Sequence, residues 1–275
     1  MDFPQNMGPF RHLLFGLAAL LATTAMQMPK AAIAQSNAIK NASDPTGLKV
    51  TTTYDPAKNT ANIVATNISG KDVTAYDLSV DVSYEGDIKD HHELMIDRLN
   101  LMINQVELGK GNPVAFPPGT THEEPFFPGT IPDHKVLNVI VTVDLVVYAD
   151  RSIESNNSDA LQRLVNARTA HGSAMGEGLA VIKKILASGK ENPSATALRE
   201  LEMFHSAPIS KDGGMQISRE NELKSMIDDL ERFSQAAADH KLPNSERDYL
   251  KNYIATKTQR MALTLAHANL KKGGQ

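Results

Sequence analysis

The stretch Asn59–Tyr84, NTANIVATNISGKDVTAYDLSVDVSY, decides the fold. In its second half Tyr76, Leu78, Val80, Val82 and Tyr84 alternate with Ala75, Asp77, Ser79, Asp81 and Ser83, the period of a half-buried β-strand. Its first half, Ile63–Asn67, leads through Ile68-Ser69-Gly70-Lys71-Asp72, where Gly tolerates a positive φ and Asn and Asp bond their own backbone. The pattern predicts a hairpin on which the β region, as far as Tyr148, is built.

Around it, Leu48–Tyr54 reads as a strand closed by Asp55-Pro56, and Glu85-Gly86-Asp87 as a turn. His91–Val106 fits either a short helix or irregular strands. Pro113, Pro117, Pro118, Pro125, Pro128 and Pro132 restrict their segment to edge strands and turns. Val136–Tyr148 reads as a strand in the middle of a sheet, with Leu137, Val139, Val141, Val143, Leu145 and Val147 on one face. Several antiparallel strands joined by turns over residues 47–150 predict a β-sandwich.

Near Asp150 the period changes from two to about 3.6 residues. A polar, turn-prone segment, Arg151–Asn157, separates the strands from a helical region over 157–275. Ser158, Ser173, Ser194 and Ser218 stand where helix caps are expected, Gly189 at a helix end, and Lys211–Gly214 in a loop. A last helix follows Pro243-Asn244-Ser245. The helices carry one-sided apolar stripes, the clearest being Leu223, Met226, Ile227, Leu230 and Phe233, supported by Glu220 with Lys224 and Asp228 with Arg232 at i, i+4. The expected class is α+β: an antiparallel sandwich followed by an all-α region.

Ahead of the fold, residues 1–34 have the parts of a secretory signal peptide. Arg11 and His12 precede an apolar run from Leu13 to Ala22, and Ala32-Ile33-Ala34 suits signal peptidase. The run is well short of the roughly 20 residues that span a bilayer. Cleavage before Gln35 leaves 241 residues, beginning with a polar tether over 35–46. The expected location is the periplasm or the extracellular space. With Arg11, Lys30 and Asp2 removed, 26 basic face 31 acidic residues, a net charge of −5. That balance argues against nucleic acid as a partner. The absence of Cys excludes disulfides, thiolate metal sites and cysteine nucleophiles.

The pattern IVATNISGKDVTAY, Ile63–Tyr76, resembles the B–C region of small immunoglobulin-like domains in exported bacterial proteins. The resemblance implies an immunoglobulin-like sandwich for the first domain and says nothing of the helical region. Such folds host adhesion, scaffolding and ligand binding alike.

Candidate chemistry is sparse. His91-His92-Glu93, His122-Glu123-Glu124 and Asp133-His134 are the clustered groups able to ligate a metal, but they match no recognised spacing. His91 and His92 would point to opposite faces of a strand. His171, His205, His240 and His267 read as single residues at polar helix edges, and Gly172, Gly176 and Gly178 as an interhelical turn. Asp228-Asp229 reads as a solvated pair. No catalytic, cofactor or metal residue is assigned, and no cofactor is expected. The expected function is a non-enzymatic exported module binding a protein or envelope component, the alternative being a hydrolase or metal-dependent enzyme whose site is assembled from dispersed residues.

Overall fold

A computed structural model describes residues 45–132, 134–205, 213–239 and 245–272, and these belong to one compact unit. The leader, nearly all of the tether, Asp133 and His240 lie outside the described residues. The class is α+β. Strands β1 (Leu48–Asp55), β2 (Thr60–Asn67), β3 (Val73–Tyr84) and β4 (Lys89–Asp97) are followed by helix α1 (Leu99–Glu107). Then come β5 (Thr121–Phe126), β6 (Val136–Tyr148) and β7 (Ser152–Ser155), and four helices: α2 (Ser158–Ala187), α3 (Pro193–His205), α4 (Gly213–Ala238) and α5 (Glu246–Ala268). A two-residue strand, β8 (Lys271–Lys272), follows. No helix among the described residues is long and apolar enough to cross a membrane.

The strands form two sheets, ordered β1-β2-β5 and β4-β3-β6-β7-β8; every pairing is antiparallel except β7 with β8. The expected hairpin over 63–84 is therefore not formed. β2 pairs with β1 and β5, β3 pairs with β4 and β6, and residues 68–72 arch from one sheet to the other. The arch is held open by side chains that an ordinary hairpin would not need. Buried Asn67 donates through Nδ2 to Lys71 O and Phe116 O, and its Oδ1 accepts from Ser69 N and Oγ. Asp72 accepts from the backbone N–H groups of Ala115 and Phe116. These bonds tie the arch to residues 115–116 instead of letting β2 and β3 pair.

The segment left open at His91–Val106 contains both alternatives, the end of β4 and then α1. β5 is an edge strand, as Pro125 requires, and β6 lies between β3 and β7. The sheets share one core: Leu48, Ile63 and Phe126 from the first meet Tyr76, Leu78, Val80 and Val82 of β3 and Val139 and Val141 of β6.

The regular alternation expected along β6 breaks at Asp144. Asp77 pairs with Leu145 and Leu78 with Val143, so Asp144 is an extra residue in the ladder, a β-bulge. Beyond it Leu145 and Val147 face the opposite side from Val139 and Val141, and join Ala75, Ala160 and Leu164 in a second cluster beneath α2. The helix thus covers the N-terminal half of the other face of β3. Asp77 is fully buried there and Ser79 nearly so, and only Asp81 on that face is exposed.

Several local expectations give way in the helical region. Arg151–Asn157 holds β7, and Asn157, not Ser158, caps α2 through its side chain. Ser173 lies inside α2, so the two helices expected over 158–187 are one of 30 residues. Gly172 and Gly178 do not break it. They are points of close approach, where an added Cβ would stand 2.6 Å from Leu265 Cδ2 and 2.7 Å from Met226 Sδ respectively. Likewise α4 begins at Gly213, which places Ser218 inside it rather than at its cap, and Ser245 caps α5. The apolar stripes of α2 to α5 close on one another around Leu179, Ile182, Leu201, Leu223, Met226 and Leu250.

Candidate functional site

The sequence-selected histidines do not come together. On β4, His91 and His92 project to opposite faces: His91 bonds Asp81 (2.8 Å), whereas His92 stands 2.9 Å from Asp90 and edge-on to Phe126. Glu93 pairs with Arg163. His122, on β5, contacts Tyr76 Oη (2.8 Å) and Glu124 (3.2 Å), while Glu123 is exposed. Burial, reinforced by the positive charge of Arg98, holds the His122 imidazole below its ordinary pKa. His134 sits on Glu85 O. Among the described residues no three His, Asp or Glu side chains are grouped to hold a metal ion.

Charge concentrates instead in two places that motif spacing did not indicate. The first is the seam between the larger sheet and α2. Arg163 of α2 bonds Asp77 (3.0 Å) and Glu93 (3.0 Å). One turn and a half further on, Arg168 is 2% exposed, grips Asp97 with two nitrogens and donates to His267 O. Burial raises the Asp77 carboxyl pKa despite Arg163. Ser79 Oγ and Asn157 Nδ2 both donate to Asp144. His267, expected at a polar edge, is buried; desolvation, with Arg168 and Arg151 nearby, lowers its pKa to about 4.

The second is a cavity of about 540 Å³ between α1, α2, α4 and α5. α4 supplies Glu222, Asp229 and Phe233, and α5 supplies Tyr253, Lys257 and Arg260. At these spacings of three, four and seven residues the groups share one side of each helix. Glu222 is 3% exposed. Its Oε2 lies 3.0 Å from His171 Nε2, an ion-pair contact without hydrogen-bond alignment, and its Oε1 has no hydrogen-bond partner, Lys257 Nζ being 3.6 Å away. Burial pushes the Glu222 carboxyl pKa up, but His171, Lys257 and Arg260 together hold it below the ordinary value.

Lys257 also stands 3.4 Å from Asp229, which accepts from Tyr253 Oη and pairs with Arg232 at 2.6 Å. Asp229 is therefore part of an inter-helix network, not a solvated neighbour of Asp228. Arg232 donates to Asp229 and to the carbonyl of Asp228, so the expected side-chain pair with Asp228 is not made. Arg260 spans to α1, meeting Asn100, Asn104 and Glu107. A smaller hollow of about 290 Å³, lined by Asp97, Arg168 and Thr264, shares Asn100, His171 and Asn221 with the cavity.

Comparison with family models, curated proteins and solved structures found no match. The geometry alone carries the reading of this cavity. Lys257 and Arg260 each face a carboxylate, and the cations around Glu222 hold its carboxyl below the ordinary pKa. That arrangement suits holding a polar group in place.

Sequence reasoning missed the cavity because His171, Glu222 and Lys257 are remote in sequence and each lies beside an apolar stripe. The available signal was Tyr253, Lys257, Arg260 and Thr264, a polar line along α5 at helical spacing. A helix with both an apolar and a polar line facing its neighbours packs against more than one of them.

Proposed function

We propose that the chain is an exported, non-enzymatic binding module of a bacterial envelope or secretome. Its two sheets form an immunoglobulin-like sandwich, and the cavity between α1, α2, α4 and α5 receives a group of a protein or envelope component. The strand order supports the sandwich: first, second and fifth strands in one sheet and third, sixth and seventh in the other match the immunoglobulin arrangement, with the fourth joining the second sheet. The leader supports export. The observation that carries the binding role is the cavity of about 540 Å³ itself, lined by the charged side chains of Glu222, Asp229, Lys257 and Arg260. The enzymatic alternative has less support, since His122 and Glu124 are engaged with each other and with Tyr76.

Two measurements test the proposal. Mass spectrometry of the exported protein is expected to find Gln35 at its N-terminus; a retained leader defeats the export reading. Ser225 lies on the exposed rim of the cavity, so Ser225→Trp fills the opening without disturbing the core. In cell fractionation the variant is expected to wash off the envelope at lower salt than the wild type. Equal retention would remove the cavity from the binding role.

A further inference from the structure

We propose that the seam between the larger sheet and α2 is a proton-operated latch: folded, it holds one proton on Asp77, and loss of that proton in a more alkaline medium loosens the first turns of α2 from the sheet. Three carboxylates meet there around one cation. Arg163 of α2 reaches Asp77 Oδ2 and Glu93 Oε1, both at 3.0 Å. Asp144, the extra residue of the bulge, is the third. With all three ionised the group carries a net charge of −2, although Asp77 is 0% and Asp144 6% exposed. The neighbouring cations have no charge to spare: Arg168 is committed to Asp97, and His91 pairs with Asp81.

The hydrogen bonds decide where the proton sits. Asp144 Oδ2 accepts from Ser79 Oγ and Asn157 Nδ2, bonds that favour its charged form. The Glu93 side chain is 41% exposed and keeps its hydration. Asp77 differs: its Oδ2 is held by Arg163, and its buried Oδ1 accepts no hydrogen bond. A proton on Oδ1 therefore removes a buried charge without breaking a bond. Burial raises the Asp77 pKa against the pull of Arg163, and the charges of Asp144 and Glu93 add to the rise. Ala75, Leu145, Ala160 and Leu164 pack as one apolar cluster on this face, so hydrating an ionised Asp77 means parting Ala160 and Leu164 from the sheet. The folded pKa lies above the ordinary 3.8, so the contribution of Asp77 is complete below that pH and is lost as pH rises through the folded value. His267, whose folded pKa is lowered, acts in the opposite sense and cannot imitate this loss.

The test is NMR on the full mature chain. Side-chain carboxyl resonances, assigned through the backbone, are followed from acid to mildly alkaline pH, together with amide exchange of residues 160–164 corrected for its intrinsic rate. The Asp77 carboxyl is expected to ionise above 3.8, and protection of residues 160–164 to fall several-fold over the same titration, the mark of a local opening. Asp77→Asn is neutral at every pH and is expected to keep that protection level throughout. Should this variant not fold, the wild type still decides, since its carboxyl titration and its amide exchange must share one midpoint. An Asp77 carboxyl that ionises at or below 3.8, exchange that does not follow its titration, or an Asp77→Asn variant with the pH dependence of the wild type overturns the latch.

Discussion

The two faces of β3 are built from the same strand by opposite means. Toward the smaller sheet, Tyr76, Leu78, Val80 and Val82 are fully buried in an apolar core with Ile63, Val139 and Val141. Toward α2, Asp77 and Ser79 are buried as well, and the contact is organised by Arg163, Arg168 and the bulge at Asp144. The first face gains from area removed from water and is insensitive to small displacements. The second depends on directional bonds that lose their value when one partner is removed.

The sharpest way to break this contrast is Val80→Asp. An unpaired carboxylate at a fully buried site between the sheets is expected to cost several kcal/mol, about the whole stability of an ordinary domain. Chemical denaturation of the full chain measures it. Arg168→Met comes next on the other face: it strips Asp97 and the His267 carbonyl of their donor and is expected to cost about 3 kcal/mol. An effect below about 1 kcal/mol would mean that packing, not the ion pair, holds α2 on the sheet.

The same seam has a pH signature. The folded pKa of His267 lies below its unfolded value, about 4 against 6.5, so the unfolded chain binds the proton first. Its contribution is complete above pH 6.5 and is lost as pH falls toward 4, by about 3 kcal/mol in all. His267→Gln is expected to flatten stability across that window; an unchanged slope assigns it to other groups.

Gly178→Ala tests close packing away from the sheets. The new methyl would stand 2.7 Å from the sulfur of fully buried Met226 and is expected to destabilise by about 1–2 kcal/mol net of the better helix propensity. Gly172→Ala is milder, because Leu265 is 37% exposed and has room to turn. The smallest effect is expected from Asp81→Val, less than about 1 kcal/mol, since Asp81 is exposed and its pair with His91 is solvated. If Asp81→Val rivals Val80→Asp, β3 is not buried as described.

Apolar periodicity made β1, β3, β6 and the helical stripes legible, because burial of each repeats at two or 3.6 residues. What it could not reveal was which strand each one meets. The reading of 63–84 as a hairpin failed on Asn67 and Asp72, ordinary turn residues whose bonds run to residues 115–116. Arg163, Arg168 and Asp77 look like solvated charges until the helix lies on the sheet. The cavity was hidden for the same reason: Glu222 reads as one more polar helix residue, and only the approach of α2 and α5 turns it into a buried acceptor.

The last described residues return to the sheet. Lys271 N donates to Arg151 O, β8 runs alongside β7, and Leu270 packs with Ala75 and Leu145. Together with Arg168, which joins segments 71 and 99 residues away, this closes a loop that begins at β7 and encloses every large helix. The apolar core between the sheets draws on residues from Leu48 to Tyr148 alone, whereas the polar seam needs the last turn of α5. The seam thus adds a second long-range closure to the one that the core between Leu48 and Tyr148 already requires, and each carries its own cost in chain entropy.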